Sequence, residues 1–136
     1  MIVLDENLDE RRVLVPLSAR YKGRVVSVRT LRPGSVIKDD AVSGLLLENK
    51  NPIFATTNVA DFWRKVPAHH GYSVICLPLP TERQHEIPDL IVRLFRHSAF
   101  RTAAQRMGRV FRVTLREIQY YQVNQWTASK IHWGSL

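Results

Sequence analysis

A chain of 136 residues supports one domain with a core of ordinary size, and its single cysteine, Cys76, excludes an internal disulfide. No run is long and apolar enough to span a bilayer, and four apolar residues followed by acids do not make a secretory leader, so a cytoplasmic protein with no membrane contact is expected. The net charge of +8 points to a polyanionic partner, of which nucleic acid is the commonest.

The opening MIVLDEN, residues 1–7, is a short apolar run ending in Asp5 and Glu6. It fits a strand buried on both faces that delivers two acids to its carboxyl end, the edge where open α/β sheets bind ligands. LDERRVLVPLSARY, 8–21, reads as helix, with Pro16 breaking it into two pieces and Gly23 ending the second. RVVSV, 24–28, is β-branched and reads as a second strand, followed by a loop over 29–34 with Pro33-Gly34 as its turn signal. Asp39-Asp40 opens a helix to about Glu48 that buries Val42, Leu45 and Leu46, with Asp39 on the same stripe.

PIFATT, 52–57, is a third strand leading to Asn58, and a short helix begins at Val59 with Asp61 in its first turn. His69 and His70 are adjacent in a loop, a spacing that suits a surface turn better than a metal site. YSVICL, 72–77, is a fourth strand, and EIPDLIVRLFRHS, 86–98, an amphipathic helix with Pro88 in its first turn. The alternation predicts a Rossmann-like three-layer α/β sandwich over 1–97, with a mostly parallel four-stranded sheet and right-handed crossovers.

Residues 98–136 read as a basic C-terminal extension, packed on that domain or used for contact with a partner, with a hairpin or edge pair over RVFRVT and EIQYYQV. From Leu90 to the end there are eight basic residues against one acid, Glu117. Arg93, Arg96, Arg101, Arg106, Arg109 and Arg112 are the expected RNA contacts. Tyr residues and Trp126 interleave with them, as stacking on unpaired bases requires.

Three acidic junctions can share one sheet edge: Asp5-Glu6, Asp39-Asp40 and the stretch from Asn58 to Asp61. Carboxylates gathered there repel one another unless a cation enters, and hard divalent ions such as Mg²⁺ or Mn²⁺ prefer oxygen ligands. Such an ion activates water and offsets the charge of a phosphodiester under attack.

The stretch Thr56-Thr57-Asn58-Val59-Ala60-Asp61-Phe62 resembles the TxNVxDF signature of the PIN-domain ribonucleases, a superfamily that includes the toxins of bacterial toxin–antitoxin pairs. VLDEN, ending at Asn7, resembles the first strand of its compact PIN-like members, and Asp39 matches the acid that opens the helix before the signature. The resemblance covers about residues 1–80. It implies a metal-dependent endoribonuclease with Asp5, Asp39 and Asp61 as catalytic metal-binding acids, and Thr56 and Asn58 as supporting polar groups. Glu6 and Asp40 are the further acids available to the metal. It also implies RNA as substrate and an antitoxin protein as partner; a homodimer is a further expectation, through the tail. The family carries another acid where this chain has none between Glu10 and Asp39. That departure motivates the alternative, a PIN-like module that binds RNA or protein with weak or no turnover. A phosphoacceptor receiver domain is disfavoured, because no later strand ends in the required Asp.

Overall fold

The computed structural model describes residues 1–31 and 41–133. Strand β1, Ile2–Leu4, is buried along its whole length, as its apolar run dictates. Asp9 then caps a π-helical stretch, Glu10–Leu14, by accepting from the backbone N–H groups of Arg11 and Arg12. Helix α1, Val15–Arg20, continues from it without a break, since Leu14 and Val15 both keep right-handed helical backbone angles; Pro16, in its first turn, marks the change from π-helical to α-helical winding and does not end the helix as expected. Strand β2, Val25–Ser27, runs directly into α2, Val28–Leu31, so the loop expected at 29–34 opens as a helical turn.

Helix α3 is Val42–Leu47, β3 Ile53–Thr56, α4 Val59–Phe62 and β4 Ser73–Cys76. A 3₁₀ stretch, Thr81–Glu86, leads into α5, Ile87–Arg96, and α6 is Ala103–Arg106. Strands β5, Arg109–Val113, β6, Glu117–Gln122, and β7, Gln125–His132, complete the described chain. Among the described residues, no helix is long and apolar enough to cross a membrane.

The strands form one mixed sheet of seven in the order β2-β1-β3-β4-β5-β6-β7. This corrects the expected four-stranded, Rossmann-like three-layer sandwich with an appended tail. The first five strands are parallel, and β5-β6-β7 is an antiparallel meander. The cause lies in RVFRV: Val110, Phe111 and Arg112 pair in parallel with Val74, Ile75 and Cys76, so β5 continues the sheet where β4 would otherwise be its edge. No residue of β7 is buried, so the helical layers stop short of the far edge.

Side chains alternate across the sheet and divide the core in two. One face carries Ile2, Leu4, Ile53, Ala55, Ile75 and Phe111 under Leu17 of α1 and Ile87, Leu90, Ile91 and Leu94 of α5. The other carries Val3, Phe54, Val74, Cys76 and Val110 under Leu45 and Leu46 of α3 and Phe62 of α4. These placements fix the crossovers. The β1-to-β2 step moves toward one edge over the α1/α5 face. The β2-to-β3 and β3-to-β4 steps move the opposite way over the α3/α4 face, which is the same hand. The β4-to-β5 step also moves that opposite way, yet α5 lies with α1. It therefore has the reverse hand, against the uniform right-handedness expected. What holds α5 there is its packing on α1: Leu17 shares its cluster, Tyr21 meets Phe95 at 5.8 Å between ring centroids, and Arg20 pairs with Asp89.

Phe111 sits in that core with its ring edge-on to Phe100 at 4.9 Å. Phe111→Ala is expected to cost about 3–5 kcal/mol in denaturant unfolding. A loss below about 1 kcal/mol would mean that β5 is peripheral to the fold.

Candidate functional site

The chain turns from β2 to β3 across β1, so the strand order reverses between β1 and β3, and their carboxyl ends flank the crevice where α/β sheets bind ligands. Asp5 stands at the end of β1 and Thr56 at the end of β3. The backbone N–H of Asp5 donates to Ala55 O at 2.9 Å, which carries the pairing one residue past Leu4. Thr56 Oγ1 donates to Asp5 Oδ2 at 2.6 Å, and Glu6 N–H donates to Asp5 Oδ1 at 2.8 Å. Asp5 is only 9% exposed and Thr56 is fully buried. Burial raises the Asp5 pKa above its ordinary value, more than the hydrogen bonds from Thr56 and Glu6 lower it, and the nearby Glu6 charge raises it further.

The Thr56 hydroxyl also accepts from Asn58 N–H at 2.9 Å. Asn58 caps α4: its Oδ1 accepts from Asp61 N–H at 3.3 Å, and its Nδ2 donates to Asp61 Oδ2 at 2.8 Å. A continuous run of hydrogen bonds thus links the buried carboxylate of Asp5, through Thr56 and Asn58, to the exposed carboxylate of Asp61. Capping alone needs only the Asn58 side chain. The further bonds fix the attitude of both acids.

The loop after Asp5 is clamped by Gln84, 2% exposed, which accepts from Asp9 N–H at 2.8 Å and donates to Asn7 O at 3.0 Å. Asp9 is further tied to Arg12 Nε at 2.9 Å, and that bond, with the Arg11 N–H, lowers its pKa. Beside this loop lies a cleft of about 640 Å³ whose walls include Glu6, Asn7, Arg12, Arg29 and Gln84. Its size suits a small ligand or part of a larger one.

The expected acids are thus distributed as follows. Asp5 and Asp61 belong to one hydrogen-bonded array and Glu6 is next to Asp5, half-buried on the cleft wall. Asp39 and Asp40 lie outside the described residues. Among the described residues, no three His, Cys, Asp or Glu side chains gather as a metal-holding group. Of the expected arginines, Arg106 is buried, donates to Phe100 O and Arg101 O, and stacks over Phe95 at 4.1 Å. Arg93 lies over Trp133 and Arg109 over Phe100 and Tyr120, all on the α1/α5 face. Arg96 and Arg101 are exposed. Arg112 is on the opposite face, where its Nη1 donates to Gln119 at 3.1 Å.

Sequence reasoning did not single out Gln84, whose polar run TERQHE carries no signal of burial. It also missed Arg64, held at φ +64°, whose guanidinium lies over Trp126 at 4.8 Å and Tyr121 at 5.4 Å. Compared with known proteins, the chain matches no family model, no curated protein and no solved structure.

Thr56→Val keeps the shape of the side chain but leaves Asp5 Oδ2 without its donor, and is expected to cost about 1–3 kcal/mol in unfolding experiments. The raised Asp5 pKa gives a second test. The folded chain holds the Asp5 proton more tightly than the unfolded chain, so ionisation costs stability as pH rises from the ordinary 3.8 through the raised value. The stability of the parent relative to Asp5→Asn is expected to fall across that window and level off above it. A flat difference would show Asp5 to be as well solvated as in the unfolded chain.

Proposed function

We propose that the chain is a metal-dependent endoribonuclease of PIN-like type, with its reaction centre at the carboxyl ends of β1 and β3. The observation that supports this best is the buried, pre-oriented Asp5 joined through Thr56 and Asn58 to Asp61 at the point where the strand order reverses. The donor set suits a hard divalent cation. Each Asp5 oxygen accepts one hydrogen bond from the protein and keeps lone pairs for a further partner, and desolvation makes a cation there favourable.

Asp5 and Asp61 would hold Mg²⁺ or Mn²⁺, with Asp39 as third acid and Glu6 and Asp40 in reserve. The bound ion would supply an activated water and charge stabilisation for the phosphodiester. The chain's own contribution is orientation. Thr56 fixes the Asp5 carboxylate, Asn58 fixes Asp61, and Gln84 keeps the adjoining loop from swinging into the cleft. In this reading the protein acts in the cytoplasm as the toxin of a toxin–antitoxin pair. The gap in acids between Glu10 and Asp39 favours a second reading, a PIN-like module that binds RNA or protein without turnover.

Purified protein incubated with single-stranded RNA separates the two. Cleavage is expected with Mn²⁺ or Mg²⁺ and not with chelator, with losses of about 100-fold or more in Asp5→Asn and Asp61→Asn and about 10–100-fold in Thr56→Val. Mn²⁺ is also expected to raise the Tm of the parent but not of Asp5→Asn. Undiminished cleavage by Asp5→Asn sinks the nuclease assignment; metal binding without cleavage favours the second reading.

A further inference from the structure

The register of the sheet joins the acidic centre to a basic one. Leu4 is opposite Ala55, and the next residues along are Asp5 and Thr56. Thr56 pairs with Cys76, Cys76 with Arg112, Arg112 with Gln119 and Gln119 with Lys130. Asp5, Thr56, Cys76, Arg112, Gln119 and Lys130 therefore form one cross-strand row. By the alternation of side chains, all six point to the α3/α4 face. Strand spacing puts Arg112 about 14 Å from Asp5 along this row, and Lys130 about 24 Å.

Beyond Cys76 this face has no helix over it among the described residues, because α5 crosses on the other side. Only the segment after α4 reaches over, with Trp63 against Tyr121 and the Tyr121 hydroxyl donating to Val66 O. The open part of the face is basic and aromatic. The Arg112 guanidinium has donors beyond the one given to Gln119. Lys130 is half-exposed and pairs with Glu117 at 3.4 Å, a weak solvent-screened contact that a phosphate can replace. Trp126, 55% exposed, lies on the same face with Arg64 and Tyr121 against its indole ring. A planar aromatic beside cations is what single-stranded polynucleotides bind, through base stacking and phosphate contact.

We infer that the uncovered face of β5, β6 and β7, from Arg112 to Lys130 with Trp126 as a stacking platform, is the track along which a single strand of RNA reaches the carboxylates. The inference rests on the nuclease reading for the identity of the strand. The row itself requires only the sheet register. Of the six arginines expected to hold RNA, it selects Arg112, and it adds Lys130, Arg64 and Trp126.

The test is fluorescence anisotropy of a labelled twelve-nucleotide oligouridine with the full chain in chelator, where binding is read without cleavage. Arg112→Gln and Lys130→Gln are each expected to weaken binding about fivefold or more at low salt. Each should also reduce the slope of log K against log salt by about one. Trp126→Ala is expected to weaken binding about tenfold with the slope unchanged. Lys22→Gln and Lys50→Gln, exposed cations away from the row, are expected to bind as the parent does. Thermal unfolding of every variant guards against misfolding. Parental binding by both Arg112→Gln and Lys130→Gln overturns the track, as does an equal loss in the two control variants or equal affinity for duplex RNA. If the parent cleaves RNA while the row variants bind and cleave normally, the track fails and the nuclease reading stands. If the parent never cleaves while the row variants lose binding, the nuclease reading fails and the track stands.

Discussion

A carboxylate taken out of water must find donors or lose its charge, and the Thr56 hydroxyl at 2.6 Å from Asp5 is the main answer this fold provides. The contact spans 51 positions of sequence and closes only when β1 and β3 are neighbours in correct register. It thus ties the chemistry of one end of the sheet to the topology of the whole. Thr56 is itself fully buried, with Cys76 beside it, so the hydroxyl has little freedom to leave Asp5 for water. Asn58 then reaches the same hydroxyl from the next turn, so cap, strand end and acid form a single unit.

The first four strands were legible because each is a short apolar or β-branched run, and β1, β3 and β4 are buried along their whole length. Pro16 marked the change from π-helical to α-helical winding and not the expected break, since Leu14 and Val15 keep helical backbone angles and carry the helix through. Asp5, Thr56, Asn58 and Asp61 were legible as types at strand ends. The hydroxyl bridging them was not, because a hydrogen bond between positions 5 and 56 exists only through the sheet. Strand β7 was hidden for a different reason. QWTASKIH buries nothing, so it carries no hydrophobic period, and it is a strand because β6 pairs with it. The position of β5 was illegible because RVFRV, taken alone, suits a free hairpin as well as an interior strand. The hand of a crossover has no local code at all. It follows from which face of α5 finds α1.

Charge is sorted along this molecule. Acids occupy the carboxyl end of β1 and the start of α4, while most of the basic surplus comes after Leu90. A basic protein with carboxylates at one end of its sheet can attract a polyanion over a distance and still offer oxygen ligands at the point of contact. The aromatic contacts of Arg93, Arg106 and Arg109 on the α1/α5 face show that part of the surplus is structural, its guanidinium planes covering rings that would otherwise meet solvent.

The reversed crossover also bears on how the chain reaches its native state. The chain returns from β4 to β5 through α5, and the docking of α5 on α1 joins segments about 70 residues apart, such as Arg20 and Asp89. Contacts of such separation close slowly, since loop entropy is lost before pairing repays it. Until β5 pairs with β4, Val74, Ile75 and Cys76 present an unpaired apolar edge. The same edge is a template for strands of other molecules. The crossover that leaves the α3/α4 face of β5 open therefore carries a kinetic cost during assembly: slow completion of the sheet, with aggregation as the competing route.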